Sequence, residues 1–339
     1  MSFIGCDMAV DLGTTNTQVY QRGQGIVLNE PSVVTVNTST GGITAVGREA
    51  KNMIGREPRG VVAVRPLRNG VVADFESAEP MLRYFIRKVH RRRWASRPRV
   101  LVCVPCGVTG IERRALIEAS IQAGARQVHV IDAPLAAAIG ANLPVHEATG
   151  SMVVDIGGGT TQVAVISFAD VIIGQSIRVA GDVLDDAIIQ HVKNKYSLLL
   201  GERTAEEIKI TIGQAWGLKQ KESIEIRGRA LTSGLPEAAF ISAADIRQAL
   251  EGPVNAIIAA VKCALGDCPS ELSGDLMVRG LVLTGGGALL HGLGTRLRHE
   301  TGMPVHTADR PLESVALGAG KCVEEFHALQ KVLASRSYR

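Results

Sequence analysis

Short apolar runs interrupted by glycine-rich polar turns recur along the chain and predict strands. The stretch "MAVDLGTTNTQVYQRG" (8–23) has an apolar run on each side of a Gly/Thr turn, and "SMVVDIGGGTTQVAVIS" (151–167) has the same order. Without a gap, Asp11 aligns with Asp155 and Gln18 aligns with Gln162. Because β-branched and apolar residues follow each turn, each stretch predicts a hairpin of two antiparallel strands. The chain therefore carries one predicted unit twice.

Helical periodicity fills most of the segments between the predicted strands. Apolar residues three and four apart predict a helix in "SAEPMLRYFIRKVHRR" (77–92), and a last long helix is predicted from about 312 to 333. Further helices are predicted in "IERRALIEASIQAGA", "PLAAAIGAN", "DVLDDAIIQHVKNKY" and "RTAEEIKITIG". Strands and helices in this order predict an α/β fold with mixed sheets, in which two similar domains face a shared cleft.

Composition narrows the class of protein. A chain of 339 residues, 46% hydrophobic and 21% charged, is long enough for two domains, and a net charge of +4 is too small to indicate nucleic-acid binding. The start "MSFIGCDMAVDLG" lacks the basic region of a signal peptide, so we expect a cytoplasmic protein. The pair Cys103 and Cys106 lies partly inside a predicted strand, which favours buried reduced thiols over a redox or zinc site.

The glycine turns are the candidate chemical features. A Rossmann dinucleotide site requires a helix directly after its glycines, and no Walker A sequence is present, so neither phosphate-binding motif applies. Backbone N–H groups of glycine turns can still form an anion-binding nest, with hydroxyl donors from Thr14, Thr15, Thr160 and Thr161. The turn in "LTGGGALLHGL" (283–293) adds a third such loop.

Two aspartates stand at the ends of the strands that lead into the first two turns. Asp11 and Asp155 are expected to meet across the cleft, beside a bound polyphosphate. Two carboxylates in this position suit Mg²⁺, which keeps several of its waters and needs few protein ligands.

These motifs resemble those of a known superfamily. "DLGTTNTQVY", "VVDIGGGTTQVAVIS", "VIDAPLAAAIG", "LTGGGALLHGL" and "PLESVALGAG" are similar to the ATP-site motifs of actin, heat-shock chaperones and sugar kinases. "GIVLNEPSVV", "VGREAKNMIGREPRG", "VRPLRNGVVADF", "IRVAGD" and "GERTAEEIKI" resemble, more closely, the MreB family of bacterial actin homologues. The resemblance runs from about residue 7 to 325.

The resemblance implies an actin-like ATPase fold in which two duplicated ribonuclease-H-like domains surround a nucleotide cleft. Domain I would comprise 1–143 and 311–339, with an inserted subdomain at about 32–76. Domain II would comprise 144–310, with an inserted subdomain at about 182–242.

The same resemblance implies ATP and Mg²⁺ as ligands. The residues that would contact the nucleotide are Gly13, Thr14, Thr15, Asn16, Gly157, Gly158, Gly159, Thr160, Glu206, Glu207, Ile208, Lys209, Gly285, Gly286, Gly287 and Ala288. Asp11 and Asp155 would hold Mg²⁺ through water. From spacing alone, Glu206 and Lys209 are equally compatible with a solvated i,i+3 ion pair.

Two positions depart from the family pattern near the γ-phosphate. MreB sequences usually have "EEP" where this chain has "DAP" (132–134), so Ala133 replaces the glutamate that orients the attacking water. Gln162 replaces a second glutamate. Asp132 and Gln162 are the remaining candidates for a catalytic role, and we expect slow ATP hydrolysis.

A basic segment surrounds one of the two tryptophans. In "KVHRRRWASRPR" (88–99), Arg91, Arg92, Arg93 and Trp94 combine cations with an interface-seeking ring, which favours an anionic membrane surface over a solvated helix end or nucleic acid. In MreB proteins this loop enters the inner leaflet, so the chain is expected at the inner face of the cell membrane.

The resemblance implies a cytoskeletal ATP-binding protein. It would form homopolymeric filaments, act with membrane proteins of the MreC and RodZ type, and organise cell-wall synthesis and cell shape. The alternative is a sugar- or acetate-kinase-type phosphotransferase of the same superfamily, for which no substrate motif is evident. A chaperone would need a peptide-binding domain, and only about twenty residues follow "VALGAG".

Overall fold

The protein is represented by a computed structural model that describes residues 7–90, 97–217 and 223–326. The strands of these residues are β1 (Met8–Leu12), β2 (Asn16–Gln21), β3 (Gly25–Pro31), β4 (Val34–Asn37), β5 (Ile43–Val46), β6 (Val61–Val64), β7 (Leu67–Arg68), β8 (Val71–Val72), β9 (Arg99–Val104), β10 (Gln127–Asp132), β11 (Ser151–Ile156), β12 (Thr161–Ser167), β13 (Asp170–Ile177), β14 (Leu198–Leu199), β15 (Ser223–Ala230), β16 (Pro236–Ser242), β17 (Leu281–Thr284) and β18 (Val305–Thr307).

Helices alternate with these strands. They are α1 (Arg48–Met53), α2 (Phe75–Val89), α3 (Gly110–Gln122), α4 (Ala133–Gly140), α5 (Gly181–Tyr196), α6 (Glu202–Ile212), α7 (Ala243–Gly266), α8 (Ser270–Arg279), α9 (Leu293–Thr301) and α10 (Ser314–Glu324), with 3₁₀ turns at Gly286–Leu289 and Pro311–Glu313. The last helix was predicted from about 312, but Leu312 lies in a 3₁₀ turn, where Pro311 occupies the first position. The predicted end of that helix lies outside the described residues.

Two five-stranded sheets repeat one arrangement. In the first sheet, β1 pairs antiparallel with β2 and parallel with β9; in the second, β11 pairs antiparallel with β12 and parallel with β17. The strand orders are β10-β9-β1-β2-β3 and β13-β12-β11-β17-β18. Asp11 lies opposite Gln18 in the first hairpin, as Asp155 lies opposite Gln162 in the second. The predicted repeat and both hairpins are therefore confirmed.

Two helices form the joint between the sheets. A Cβ on Gly140 of α4 would lie 1.8 Å from the Ser314 carbonyl oxygen, and one on Gly318 of α10 would lie 1.8 Å from that of Ala136. Only glycine at these two positions lets the helix backbones approach so closely. The helices share an apolar core with inward residues of both sheets, including Ala9 and Val153.

The longest described helix, α7, is apolar enough by length and composition to span a membrane. Its buried face, which includes Ile246, Leu250, Val254 and Ile257, packs into the core of the second sheet. This packing is typical of the core helix of a globular domain.

Smaller three-stranded sheets are inserted after each main hairpin. The first has the order β5-β4-β6, with α1 beside it, and the second has the order β14-β15-β16, beside α6. They fall within the two segments predicted as inserted subdomains. The five described cysteines, including Cys103 and Cys106, are free thiols.

Candidate functional site

The turns of the two main hairpins pack against each other. A Cβ on Gly158 would lie 1.8 Å from Thr15 Oγ1, and one on Gly159 would lie 2.5 Å from Thr14 Oγ1. Any side chain at either glycine would collide with the opposite turn. The fold therefore brings together two glycine turns that are 144 residues apart in the sequence, counted from Asp11 to the aligned Asp155.

Backbone hydrogen bonds fix both turns. The Gly70 N–H in the β7–β8 turn donates to Thr14 Oγ1 at 3.0 Å. In the second turn, the Gly157 and Gly158 carbonyls accept from the Gly181 and Asp182 N–H groups at 3.1 and 2.8 Å. The turns are thus held by neighbouring elements before any ligand binds, which lowers the entropic cost of binding.

One polar atom between the turns has no hydrogen-bond partner among the described residues. The Thr15 hydroxyl is buried and makes no hydrogen bond with a described residue. Because buried hydroxyls are normally hydrogen-bonded, a ligand oxygen is the expected partner. Asn16 begins β2 with its side chain exposed. A Cβ on Gly13 would collide with the Asn16 carbonyl oxygen.

The two predicted metal-facing carboxylates lie at the base of the turns. Burial raises the pKa of Asp155 to about 6, although the Thr284 hydroxyl donates to its Oδ1 at 3.0 Å. Burial, and secondly the charge of Asp155, raise the pKa of Asp11 to about 7. Neither carboxylate forms an ion pair with a described residue, and a divalent cation between them would supply the countercharge.

No cluster of three or more metal-ligating side chains occurs in the described part of the chain. A pair of carboxylates nevertheless fits Mg²⁺, since this ion is commonly held by one or two carboxylates, waters and substrate phosphates. The donor set is all oxygen, as Mg²⁺ prefers.

The third glycine loop packs against the end of β11. A Cβ on Gly285 would lie 2.3 Å from the Ile156 carbonyl oxygen and 2.8 Å from Asp155 Oδ1, and the φ of Gly285 is +77°. Gly286 and Gly287 continue into a 3₁₀ turn that includes the buried Ala288. This loop is therefore packed directly beneath the second aspartate.

Helix α6 brings one of its four predicted residues, Lys209, toward the second glycine turn, and a second, Glu206, toward α1. Lys209 Nζ donates to the Gly181 carbonyl at 3.0 Å and pairs with Asp185 at 2.8 Å. Glu206 pairs with Lys51 at 3.2 Å. Glu206 and Lys209 therefore do not form the i,i+3 ion pair that spacing also allowed, because each has a partner on another element.

The side chains of Glu207 and Ile208 point elsewhere, because helical neighbours are rotated by about 100°. Glu207 pairs with Arg203 at 3.0 Å, and Ile208 is buried in the core. Both line a separate surface cavity of about 420 Å³ between α6 and β15.

The positions near the predicted γ-phosphate site are also engaged. Asp132 ends β10 and precedes α4, and its carboxylate lies 4.0 Å from the Arg113 guanidinium. Ala133, the first residue of α4, is only 7% exposed. Gln162 is buried, and its Oε1 accepts from the Cys106 N–H at 2.9 Å. Gln162 thus joins β12 to the loop after β9, a structural role that its sequence position did not suggest.

Several contributing residues were not predicted from the sequence. Thr284, Gly181 and Asp182 hold the turns or their carboxylate, and Lys51 reaches Glu206 from α1. The "GD" at the start of α5 was a usable signal, since a glycine in the first turn of a helix permits close backbone approach. The segment with Arg91, Arg92, Arg93 and Trp94 lies outside the described residues.

Paired sheets, packed glycine turns and an aspartate at the base of each turn are typical of the actin-like ATPase fold. The chain superimposes with a TM-score of 0.91 on the crystal structure of MreB5 of Spiroplasma citri bound to ADP, at 34% identity and covering 97% of this chain and 98% of that one. A MamK double helical filament structure shares the fold, with a TM-score of 0.81 at 21% identity, covering 94% of this chain and 99% of that one.

Sequence comparison identifies the family. The family described as MreB/Mbl protein matches residues 5–331. The chain is 52% identical over 323 residues to the cell shape-determining protein MreB of Escherichia coli K12, covering 94% of this chain and 93% of that protein. It is 44% identical over 325 residues to the cell shape-determining protein Mbl of Bacillus subtilis 168, covering 96% and 98%. The chain belongs to the MreB/Mbl family, which confirms the resemblance and favours a cytoskeletal protein over a sugar or acetate kinase.

Proposed function

We propose that this chain binds ATP and Mg²⁺ between the three glycine loops and assembles into actin-like filaments. The single observation that carries the nucleotide proposal is the contact of the two hairpin turns, with the unpartnered Thr15 hydroxyl between them. The crystal structures of Spiroplasma citri MreB5 bound to ADP and to AMPPNP support the same reading.

Each loop has a distinct part in this proposal. Backbone N–H groups at 13–16 and 157–160 would bind the phosphates, and Gly285, Gly286, Gly287 and Ala288 would contact the nucleoside. Glu206 and Lys209 would border the adenosine, whereas the side chains of Glu207 and Ile208 are directed to the separate cavity and the core. Asp11 and Asp155 would hold Mg²⁺ through its waters, and the ion would neutralise phosphate charge.

The proposed division of the chain follows the two sheets. Domain I would comprise 1–143 and 311–339 and domain II 144–310, with inserted subdomains at about 32–76 and 182–242. The helix joint of α4 and α10 would then be the hinge between the domains. Cleft closure around a nucleotide would rotate the domains about these close-packed glycines.

The cellular role follows from the family. The relatives from Escherichia coli and Bacillus subtilis are cell shape-determining proteins, so we propose that filaments of this chain organise cell-wall synthesis. Filaments arise when a subunit interface is heterologous and does not close. They would lie at the inner face of the cell membrane, attached through the 91–94 segment and membrane proteins of the MreC and RodZ type.

Substitution of one carboxylate tests the nucleotide site. Asp155→Asn should weaken Mg-ATP binding about tenfold or more, about 1.4 kcal/mol, because Mg²⁺ loses a charged partner while the side-chain shape is kept. Isothermal calorimetry measures the affinity. Unchanged affinity in the variant would exclude the proposed metal position.

The pH dependence provides a second readout of the same substitution. Because the carboxyls of Asp155 and Asp11 have pKa values of about 6 and 7, protons compete with Mg²⁺ at low pH. The affinity of the parent should rise from pH 5.5 to 7.5 more steeply than that of Asp155→Asn. Comparing the two proteins cancels the titration of the nucleotide itself.

A further inference from the structure

Three ion pairs connect the two inserted segments across the mouth of the cleft. Lys51 of α1 pairs with Glu206 of α6 at 3.2 Å. Arg65, just after β6, pairs with Glu202 at 2.8 Å and with Asp182 at 3.5 Å. We call these five residues the clasp. Its cations all come from the first inserted segment, and its carboxylates all come from α5 and α6.

Charged side chains carry this contact. Among the described residues, the strands and helices of the two inserted segments share no extended packed interface. Side-chain exposures in the clasp range from 33% to 60%. Pairs as exposed as these are weak one by one and are screened by salt, so the contact can open without disturbing either core.

The acidic half of the clasp is bonded to the second glycine turn. The Asp182 N–H donates to the Gly158 carbonyl at 2.8 Å, while the carboxylate of the same residue pairs with Arg65. On α6, Glu206 holds Lys51, and Lys209 one turn later donates to the Gly181 carbonyl. A displacement of the α5 and α6 starts would therefore move the turn that is proposed to bind phosphate.

The chain that follows Arg65, in the basic half, is bonded to the first glycine turn. Gly70, five residues after Arg65, donates its N–H to Thr14 Oγ1 at 3.0 Å. Each half of the clasp is thus attached to one of the two opposed turns. A movement that separates the two halves of the clasp is therefore expected to draw the two turns apart.

We propose that the clasp controls nucleotide release, with Lys51 and Arg65 as positioning residues that hold the cleft shut over the bound nucleotide. Loss of either cation frees the two segments to separate, so the nucleotide leaves faster. Salt has the same effect on the intact clasp, since it screens partly exposed pairs. This inference rests on the proposed nucleotide function and adds a regulation of the same site.

Release of a fluorescent nucleotide tests the clasp directly. The full-length chain is loaded with N-methylanthraniloyl-ATP and Mg²⁺ and chased with excess ATP at low and high NaCl. Arg65→Gln should release the nucleotide about fivefold faster than the parent at low salt, as expected when roughly 1 kcal/mol of closure is lost. Release from the parent should accelerate with salt, whereas release from Arg65→Gln should respond far less.

Three further variants separate a clasp from general effects of charge. Lys51→Gln should accelerate release in the same direction. Arg65→Lys keeps the cation and should restore most of the slow release. Arg59→Gln is the matched control, because Arg59 is exposed on the same inserted segment and forms no ion pair with a described residue. Its release rate should equal that of the parent.

The outcomes distinguish this inference from the proposed function. If the parent binds the fluorescent nucleotide but Arg65→Gln and Lys51→Gln release it no faster than Arg59→Gln, the clasp does not control release. Equal salt dependence in the parent and in Arg65→Gln would overturn it as well. If the parent binds no nucleotide, it is the proposed function that fails.

Discussion

Residue 133 is buried, and it is an alanine where the family pattern has a glutamate. Ala133 begins α4 directly after β10, and the N-terminus of a helix stabilises a negative charge. MreB sequences usually place a water-orienting glutamate here, and Asp132 beside it is drawn toward Arg113. The backbone of this chain is therefore suited to an acid at 133 that its sequence does not supply. Slow hydrolysis with intact nucleotide binding is the expected consequence.

Restoring the acid tests that consequence. Ala133→Glu should raise the rate of phosphate release about tenfold or more, which corresponds to about 1.4 kcal/mol of barrier. Single-turnover phosphate release measures this rate. Ala238→Glu is the control, because Ala238 is exposed on β16 in the second inserted segment. The double variant Ala133→Glu with Gln162→Glu should release phosphate at least as fast as Ala133→Glu alone, because a carboxylate at 162 can still accept from the Cys106 N–H. A parent that already matches Ala133→Glu would disprove the idea.

At the scale of elements, the local order of apolar and polar residues was sufficient to predict the two hairpins. The alignment of Asp11 with Asp155 and of Gln18 with Gln162 predicted the same hairpin twice, and the structure places these two pairs at equivalent register positions. Helix α6 was predicted from its periodicity in the same way.

Partners across the cleft could not be predicted in this manner. Glu206 and Lys209 have a local spacing that permits an ion pair, yet each contacts a residue that only the tertiary fold brings near. The amide oxygen of Gln162 likewise accepts from a backbone N–H in the loop that follows β9 of the first sheet. Local sequence contains no information on which long-range group will be closest, so these contacts required the structure.

The contact between the glycine turns makes a sharp prediction about one element. A Cβ on Gly158 would lie 1.8 Å from Thr15 Oγ1, so Gly158→Ala must push the two hairpin turns apart. We expect ATP affinity to fall about tenfold or more, measured by calorimetry, with a cooperative thermal transition retained. Gly252→Ala in α7 is the control, because its added Cβ meets nothing within 4 Å. Normal affinity in Gly158→Ala would show that the turns do not close on phosphate.

At the scale of the whole molecule, the fold and family define a filament-forming class, and the proposed attachment to a membrane rests on the 91–94 segment. The segment 91–94 follows α2, whose last turn contains Arg87 and Lys88, and it precedes β9, an inner strand of the first sheet. A connection of this kind between two core elements can be changed without altering the core. We therefore expect substitutions in this segment to affect the proposed membrane attachment without affecting nucleotide binding.

Membrane attachment predicts a specific loss in a double variant. Arg92→Ala with Trp94→Ala removes one cation and the interface-seeking ring, and each basic residue near anionic lipid is worth about 1 kcal/mol. Co-sedimentation with phosphatidylglycerol vesicles should fall about fivefold or more, while ATP affinity by calorimetry stays that of the parent. Arg59→Ala with Tyr84→Ala is a matched control, because it removes an exposed cation and a 41% exposed ring elsewhere in the chain. If the Arg92 and Trp94 variant sediments with vesicles as fully as this control, the segment is only a solvated connection and attachment must come from another surface or from a membrane protein.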